Sequence, residues 1–578
     1  MIVGIDLGTT NSLCAVLQDG ELKLITNAHG QVLTPSMVGI LASGEVVVGE
    51  AARELKVTQP ERVVGRFKRW MGMDRQVPLG KKTWSPVELS SMVLRALKAD
   101  AEAFLKQPVT EAVVTVPAYF NEHQRRSTVQ AGELAGLKVR RIINEPTAAA
   151  LAYGFNERDK NQTILVMDLG GGTFDVTVMQ VFEGVFEIIS TAGEGSLGGE
   201  DFTDRLASEI LSRQGLSLER AEMTSPLLVS RLLHECERAK RDFSQQDVVE
   251  IRVPQKDGSF ADDSSSIKVT REEFAKLSKS LMDRVRGPVG KAIRDANLSP
   301  EKINEVLLVG GATRMSLISS FVKDELKKEP MCRLNPDEVV ALGAAVQGAL
   351  LEDVQEVQDL VLTDVCPFSL GINIVKDIGM DQYQSGYFLP IIHRNTTIPT
   401  SCEHVVSTVN DFQTEISIEV YQGEARKVQD NLLLGKFSLK GIPRGPKGKM
   451  VRVRFTYDMN GLLEVEAIVE ETGNRESMIL TKHAGHLSPS EIKAARQKMQ
   501  DLKFYPRDDL ENQQLLRMCE RLVGELPPSE RARFERVVDQ FEAAMGMGDR
   551  ELFESSKAVL KSVLEEYGLG GDLGGEHE

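Results

Sequence analysis

Positive charge, cysteine, aromatic residues and long apolar runs are all scarce in this sequence. Its 578 residues carry 69 lysines and arginines against 85 aspartates and glutamates, a net charge of -16. That balance repels nucleic acid and anionic membranes in bulk and leaves only local basic patches open. The six cysteines, Cys14, Cys236, Cys332, Cys366, Cys402 and Cys519, lie far apart and form no CxxC pair. Reduced, mostly buried thiols in a cytoplasmic protein are therefore expected. No apolar run approaches the ~18 residues of a membrane span. Met1 leads directly into an apolar strand, so a secretory signal is not expected.

The 41% hydrophobic and 27% charged residues are ordinary for a globular chain. At a prior of about 150 residues per domain, this length implies three or four domains. The informative feature is a repeat. Gly4-Ile5-Asp6-Leu7-Gly8-Thr9-Thr10-Asn11 returns in altered form at Met167-Asp168-Leu169-Gly170-Gly171-Gly172-Thr173-Phe174-Asp175. Each copy sits between two strand-like runs, Met1 to Ile5 and Ser12 to Leu17, then Thr163 to Met167 and Phe174 to Val181. Each reads as a β-hairpin with an acidic strand end and a turn of small residues. Such a turn exposes backbone N–H groups and hydroxyls to an anion, and the aspartate suits a hydrated cation. One copy could be a mere tight turn. Two copies predict opposed loops that grip a phosphate chain, with Asp6 and Asp168 binding Mg²⁺ mostly through water and Thr9, Thr10, Gly171, Gly172 and Thr173 as phosphate donors.

Up to about Glu352 the pattern is α/β. Helices are predicted over Pro86 to Phe104, Asn121 to Ala135, Thr147 to Tyr153, Leu228 to Phe243 and Arg271 to Ala296, with a last one running from Asn335-Pro336-Asp337 to Leu351. Strands are predicted at Glu111 to Val116 and Glu305 to Val309, and a pair at Val248 to Val253 and Ser266 to Val269. An acidic connector follows, carrying the apolar patch Leu360-Val361-Leu362, which is costly to leave in water and so is expected to dock. From Val365 to about Leu480 residues alternate by twos, as in Ile416, Ile418 and Val420 against Ser417 and Glu419. With turns such as Asn460-Gly461 this reads as a β-sandwich. Ser488 to Tyr567 reads as helical, broken near Pro506, Pro527-Pro528 and Gly546 to Gly548, and Gly568 to Glu578 as a disordered tail.

Further motifs narrow the class. Val116-Pro117-Ala118-Tyr119-Phe120, Ile143-Asn144-Glu145-Pro146-Thr147, Leu197-Gly198-Gly199-Glu200-Asp201-Phe202, Val309-Gly310-Gly311-Ala312-Thr313-Arg314, Asn395-Thr396-Thr397-Ile398-Pro399 and Tyr421-Gln422-Gly423-Glu424 occur in this order. Together with the hairpins they resemble the seventy-kilodalton heat-shock chaperones of the DnaK type. The short helical end, Val361-Leu362-Thr363-Asp364 and Tyr505-Pro506-Arg507-Asp508 look most like the short HscC-type branch.

The resemblance implies an actin-like, two-lobed ATPase domain over 1–354, a linker over 355–364, a β-sandwich peptide-binding domain over 365–482, a helical lid over 483–567 and a tail over 568–578. It implies ATP hydrolysis coupled to binding of extended apolar segments of unfolded or client proteins. Lys68 would orient the attacking water, with Glu145, Thr173 and Asp175 completing the catalytic set. Nucleotide would be held by Gly8, Thr9, Thr10, Asn11, Gly170, Gly171, Gly172, Gly198 and Gly199. Its base and ribose would lie between Glu237, Lys240, Arg241 and Ser244 on one wall and Gly310, Gly311, Arg314 and Asp337 on the other. Read alone, Lys68 is equally a solvated surface lysine, and the helical i, i+3, i+4, i+7 spacing from Glu237 to Ser244 a solvated stripe. Peptide would contact Ile372, Ile374, Val375, Val406, Val409, Ile416 and Ile418. Pro117, Arg125, Leu360, Val361, Leu362 and Asp364 would carry the allosteric signal. Implied cofactors are ATP/ADP and Mg²⁺, with K⁺ as a companion; implied partners are a J-domain co-chaperone and a nucleotide-exchange factor, with neither nucleic acid nor membrane.

Two departures stand out. The loop after Val375, Lys376 to Gly386, is longer than in DnaK, and the acidic C-terminal tetrapeptide is absent. A small-molecule kinase on the same fold would leave the linker, sandwich and lid without purpose, and a non-enzymatic member would not need the intact acidic and lysine set. Gly445-Pro446-Lys447-Gly448-Lys449 lacks the outer residues of a Walker loop and reads as a basic turn. His483 and His486 lack a third metal ligand.

Overall fold

The computed structural model describes residues 1–156, 161–182, 185–260, 266–331, 334–357, 360–379, 383–459, 461–480, 506, 509–547 and 550–567. The expected tail, the expected lid between 483 and 505, Asn460, His483, His486, Cys332, Tyr505, Arg507 and Asp508 lie outside the described residues. One compact unit covers Met1–Pro367 and a second begins at Phe368.

The first unit is built twice over from one plan. Strands β1 (Val3–Asp6), β2 (Asn11–Gln18) and β3 (Glu21–Ile25) form an antiparallel meander. After helix α1 (Glu50–Thr58), β4 (Val63–Gly65) and helix α2 (Pro86–Leu105), strand β5 (Glu111–Val116) adds to β1 in parallel. Helix α3 (Glu122–Leu134) then crosses to β6 (Lys138–Asn144), parallel to β5. Both helices start on capping boxes, Ser85 with Glu88 and Asn121 with Gln124, which satisfy the first-turn N–H groups. Helix α4 (Glu145–Asn156) leads into the second copy. There β7 (Gln162–Leu169), β8 (Phe174–Phe182) and β9 (Val185–Glu194) repeat the meander. Helix α5 (Gly199–Ser212), helix α6 (Pro226–Asp242), the hairpin β10 (Val248–Arg252) with β11 (Ser266–Thr270), and helices α7 (Arg271–Leu277) and α8 (Lys279–Asp295) precede β12 (Glu305–Val309), which joins β7 in parallel.

The sequence predicts a single helix from Arg271 to Ala296. The structure breaks it at Ser278, because α7 packs on α5 whereas α8 packs on β8 and β9, and one straight helix cannot meet both.

Each lobe has its own core, one including Ile5, Phe67 and Val114 and the other Phe174, Phe202 and Leu206. A third cluster joins them around α4 and α9 (Val339–Leu351). These helices cross so closely that a Cβ on Gly343 would collide with the Ala148 carbonyl, which explains the alanine and glycine richness of both. The connector ends in β13 (Val361–Val365), which lies parallel to β9 with Val185, Phe186 and Glu187 opposite Val361, Leu362 and Thr363. Leu360 is buried and Leu362 packs against the central cluster, so the apolar patch is docked, while Val361 stays 51% exposed.

The second unit carries two four-stranded antiparallel sheets. In sequence, β14 (Leu370–Asp377), β15 (Tyr383–Ile392), β16 (Thr400–Ser407), β17 (Glu415–Gln422), β18 (Leu432–Lys440), β19 (Met450–Tyr457), β20 (Leu463–Val469) and β21 (Arg475–Leu480) pair in the orders β15-β14-β17-β18 and β16-β19-β20-β21. Helices α10 (Leu510–Glu525), α11 (Pro528–Gly546) and α12 (Arg550–Glu566) share a core of Leu515, Phe534, Phe541, Phe553 and Leu560. Where α11 ends, the Cys402 thiol of β16 donates to the Met547 carbonyl at 3.0 Å.

Candidate functional site

The two meanders bring the repeated turns face to face. A Cβ on Gly171 would collide with Thr10, and one on Gly172 with Thr9, so no larger residue fits at this junction. The start of α5 stacks on the second turn, through Gly199 N–H to the Gly170 carbonyl at 2.9 Å and Glu200 N–H to the Gly171 carbonyl at 3.0 Å. Gly8, Asn11, Gly170 and Gly198 belong to these same turns. Beneath them Asp6 accepts from Thr115 Oγ1 at 2.8 Å, and Asp175 Oδ1 accepts from the Tyr119 N–H at 3.1 Å.

Lys68 is not at the surface. It is 4% exposed and donates from Nζ to Glu145 Oε1 at 2.6 Å, with the Phe120 ring 5.7 Å away. A buried cation requires such a partner. Burial, then the charge of Glu145, pushes the Asp6 carboxyl up to about 7, and the same causes in the same order raise Asp175 to about 7. Asp168 is also held well above the ordinary carboxylate value, by burial and then by Glu145, Asp175 and Asp6. Glu145, Asp6, Asp168 and Asp175 repel one another in this buried floor, and a cation beside them would relieve that repulsion. Among the described residues no three His, Cys, Asp or Glu side chains are close enough to hold a bare metal ion. The donor set therefore fits a hydrated Mg²⁺ carried with phosphate rather than a protein-caged one.

On one side wall, Lys240 Nζ donates to the Gly199 carbonyl at 2.7 Å and pairs with Glu237 at 2.6 Å. Burial lowers the Lys240 pKa. Burial also works against the Glu237 charge, but Lys240, Thr203 and Arg241 together more than offset it and the Glu237 pKa falls. Arg241 pairs with Glu237, and Ser244 Oγ donates to the Arg241 carbonyl. On the other wall Arg314 pairs with Asp337 at 2.9 Å, and a Cβ on Gly311 would strike Asp337. A cavity of about 370 Å³ lined by Gly72, Asp74, Ser85, His123 and Arg126 contains none of these residues.

Hydrogen bonds run from this floor to the connector. Tyr119, bonded to Asp175, follows Pro117 and Ala118; Arg125 donates to the Ala118 and Phe120 carbonyls at 3.0 Å and to Asn144 Oδ1 at 2.6 Å; Asn144 Nδ2 donates to Asp364 Oδ2 at 3.0 Å. Sequence reasoning singled out Arg125 and Asp364 but missed Asn144, although it sits in the quoted Ile143-Asn144-Glu145-Pro146 motif. It also missed Thr115 and Thr203, whose hydroxyl donates to Glu237 at 2.7 Å.

In the second unit, β14 and β17 pair only over Leu370–Ile372, up to Val420, and the ladder runs no further. Past the last paired residues Asn373 Nδ2 of β14 donates to Glu419 Oε2 of β17 at 2.9 Å; Ile372 and Ile418 are buried, Ile374, Val406, Val409 and Ile416 half-buried, and Val375 is 37% exposed. The turn carrying Val409 is held by Gln413 Oε1, which accepts from the Val409 and Asn410 N–H groups. The Gly445–Lys449 turn ties in as well: Thr408 Oγ1 accepts from Gly448 and Lys449, and Lys447 Nζ donates to Tyr383 OH at 3.0 Å. Thr408 gave no signal in the sequence because its partners lie 40 and 41 residues away, and Lys447 was read only as part of a basic turn, its partner Tyr383 lying 64 residues away.

A two-lobed cleft with paired phosphate turns and converging carboxylates defines a nucleotide-hydrolysing class of protein. Comparison makes it particular. The Hsp70 protein family model matches residues 2–79 and 73–562, and the chain belongs to that family. It is 40% identical over 575 residues to the Chaperone protein DnaK of Thermotoga petrophila, and equally to those of Thermotoga maritima and Thermotoga neapolitana, covering 95% of this chain and 93% of each relative. The protein is thus an ATP-dependent molecular chaperone and an ATPase. No helix among the described residues is long and apolar enough to cross a membrane.

Proposed function

We propose that nucleotide binds between the two lobes of an actin-like domain with its phosphates between Thr9-Thr10 and Gly171-Gly172-Thr173, and that its hydrolysis times the release of client peptides from the sandwich. Lys68, held by Glu145, orients the attacking water, and Asp175 and Thr173 fix the γ-phosphate side. Bound Mg²⁺, sited by Asp6 and Asp168 through water and accompanied by K⁺, supplies charge neutralisation at the phosphates. The base lies between the Glu237–Ser244 and Gly310–Asp337 walls.

The observation that carries the coupling is the path from Asp175 to the Tyr119 N–H, through the adjoining backbone to the Ala118 and Phe120 carbonyls, and by hydrogen bonds of Arg125 and Asn144 to Asp364 on the docked strand. A linker that binds one nucleotide state better than the other transmits that difference to the sandwich. Extended apolar segments occupy the opening between β14 and β17, adding backbone hydrogen bonds to an apolar floor. Helices α10 to α12 belong to a short lid of the HscC type, and a J-domain co-chaperone and an exchange factor complete the cycle in the cytoplasm. Asn144→Ala tests the coupling: basal hydrolysis stays measurable while stimulation by an apolar peptide is lost, and retained stimulation overturns the path.

A further inference from the structure

Several lysines and arginines of the second unit lie against carboxylates, as Lys436 does against Glu419, Lys449 against Glu471 and Arg454 against Glu403. Three cations do not. Lys376 Nζ, Arg426 Cζ and Lys427 Nζ lie 5.3, 5.3 and 3.4 Å from the ring centre of Tyr387, and among the described residues none of the three has a carboxylate partner. The backbone places them there. Tyr387 on β15 stands opposite Ile374 in the register with β14, and Lys376 follows two residues beyond Ile374 on the same strand. From the other side of β15, an edge strand, the Arg426 carbonyl accepts from the Phe388 N–H at 3.0 Å and Lys427 bridges to Tyr387. Tyr387 is buried and its hydroxyl donates to Gln384 Oε1 at 2.8 Å, which fixes the ring. The carboxylates of the neighbouring strands and turns are engaged elsewhere: Glu419 accepts from Asn373, Tyr421 and Lys436, Glu424 from Ser369, and Asp377 from the Gly379 N–H. An aromatic face attracts each cation but does not cancel the repulsion among three. In a chain of net charge -16 such a cluster is out of keeping.

We propose that Tyr387 and its three cations form a cage for acidic side chains that flank the apolar part of a client polypeptide. The proposal rests on client strands occupying the opening between β14 and β17, and it adds a charge preference to that reading. An extended segment advances about 3.3 Å per residue, so an acidic residue two to four positions from one held at Ile374 comes level with Lys376 and the cage. A carboxylate there makes charge-assisted hydrogen bonds to ammonium and guanidinium groups and supplies the neutralisation that the ring cannot. Lys376 and Arg426 are exposed, so salt weakens the attraction.

The test uses the full chain with ADP and fluorescent peptides that share one apolar core and carry two aspartates, two serines or two lysines on one side or the other. Fluorescence anisotropy gives Kd. With the aspartates on one of the two sides, the peptide binds about tenfold tighter than its serine counterpart, the scale of charge-assisted contacts at a wet surface. In Lys376→Gln with Lys427→Gln that preference disappears, while the serine-flanked peptide binds within about twofold of its affinity for the parent. In Lys376→Glu with Lys427→Glu the lysine-flanked peptide becomes the preferred one, and in the parent added salt reduces the preference for aspartate. Equal affinity for aspartate and serine flanks, or a preference that survives in the glutamine variant, would overturn the cage. Loss of the preference in inorganic phosphate but not in chloride of equal ionic strength would mark a site for small anions and would overturn it too. If the serine-flanked peptide itself fails to bind, the placement of clients at the opening falls; if it binds and flanking charge makes no difference, the cage alone falls.

Discussion

At the scale of single residues, the floor of the cleft is a balance of buried charges, one lysine against several carboxyls. Asp6 and Asp175, raised to about 7, hold protons in the folded protein at pH values where an unfolded chain has lost them. The folded state then binds more protons between about pH 4 and 7, so the stability these groups contribute is full below pH 4 and declines as pH rises towards 7. A cation reverses the preference. Binding of Mg²⁺ and ADP near pH 6.5 should therefore release protons, seen as a heat that varies with the ionisation enthalpy of the buffer; a heat independent of the buffer would argue against protonated carboxyls. Lys68→Ala or Thr173→Ala should slow single-turnover hydrolysis by about 10²- to 10³-fold, the usual cost of a lost phosphate-side donor. Rapid-quench measurement checks this. Asp6, Asp168 and Lys68 were legible because the duplicated hairpin and a family motif marked them. Thr115 and Asn144 were not, since their partners lie 109 and 220 residues away and no local spacing encodes such a meeting.

At the scale of elements, periodicity located the strands well. Glu111–Val116 and Glu305–Val309 have the bounds that alternation and apolar content predict. The helix expected over Arg271 to Ala296 shows the limit: its amphipathic period runs through Ser278, and only the packing of α7 and α8 against different neighbours divides it. The connector shows another. Its apolar content predicted docking, but which residue is buried depends on the register with β9. Leu360 and Leu362 face the core while Val361 remains half in solvent. Leu362→Asp should accordingly abolish peptide-stimulated hydrolysis, and Val361→Asp should affect it much less; steady-state phosphate release with and without an apolar peptide separates the two. Gly343→Val, at the α4–α9 crossing, should cost about 3 kcal/mol of stability, since the extra methyl groups have no space and must push apart backbone rather than side chain. Urea denaturation of the nucleotide-free protein measures this.

For the whole molecule, division of the chain into two compact units implies that the parts can act separately. Residues 1–367 alone, one compact unit with its own cores, should hydrolyse ATP at the basal rate and show no response to peptide. A response would mean that peptide also acts on this unit. The succession of elements was readable, because a sheet-and-helix pattern, an acidic connector and an alternating region differ in period. The end of the pairing between β14 and β17 was not, since alternation continues on both strands past Ile372.

The parallel union of β13 with β9 has one more consequence. When the connector leaves, the Val185–Glu187 edge loses its neighbour and the socket of Leu362 empties in the same event. An unpaired edge next to an apolar recess is a template for any extended segment of suitable alternation. A released form would then offer this edge to strands other than its own, and the return of the connector would be a competition set by the concentration of such segments as well as by the nucleotide bound.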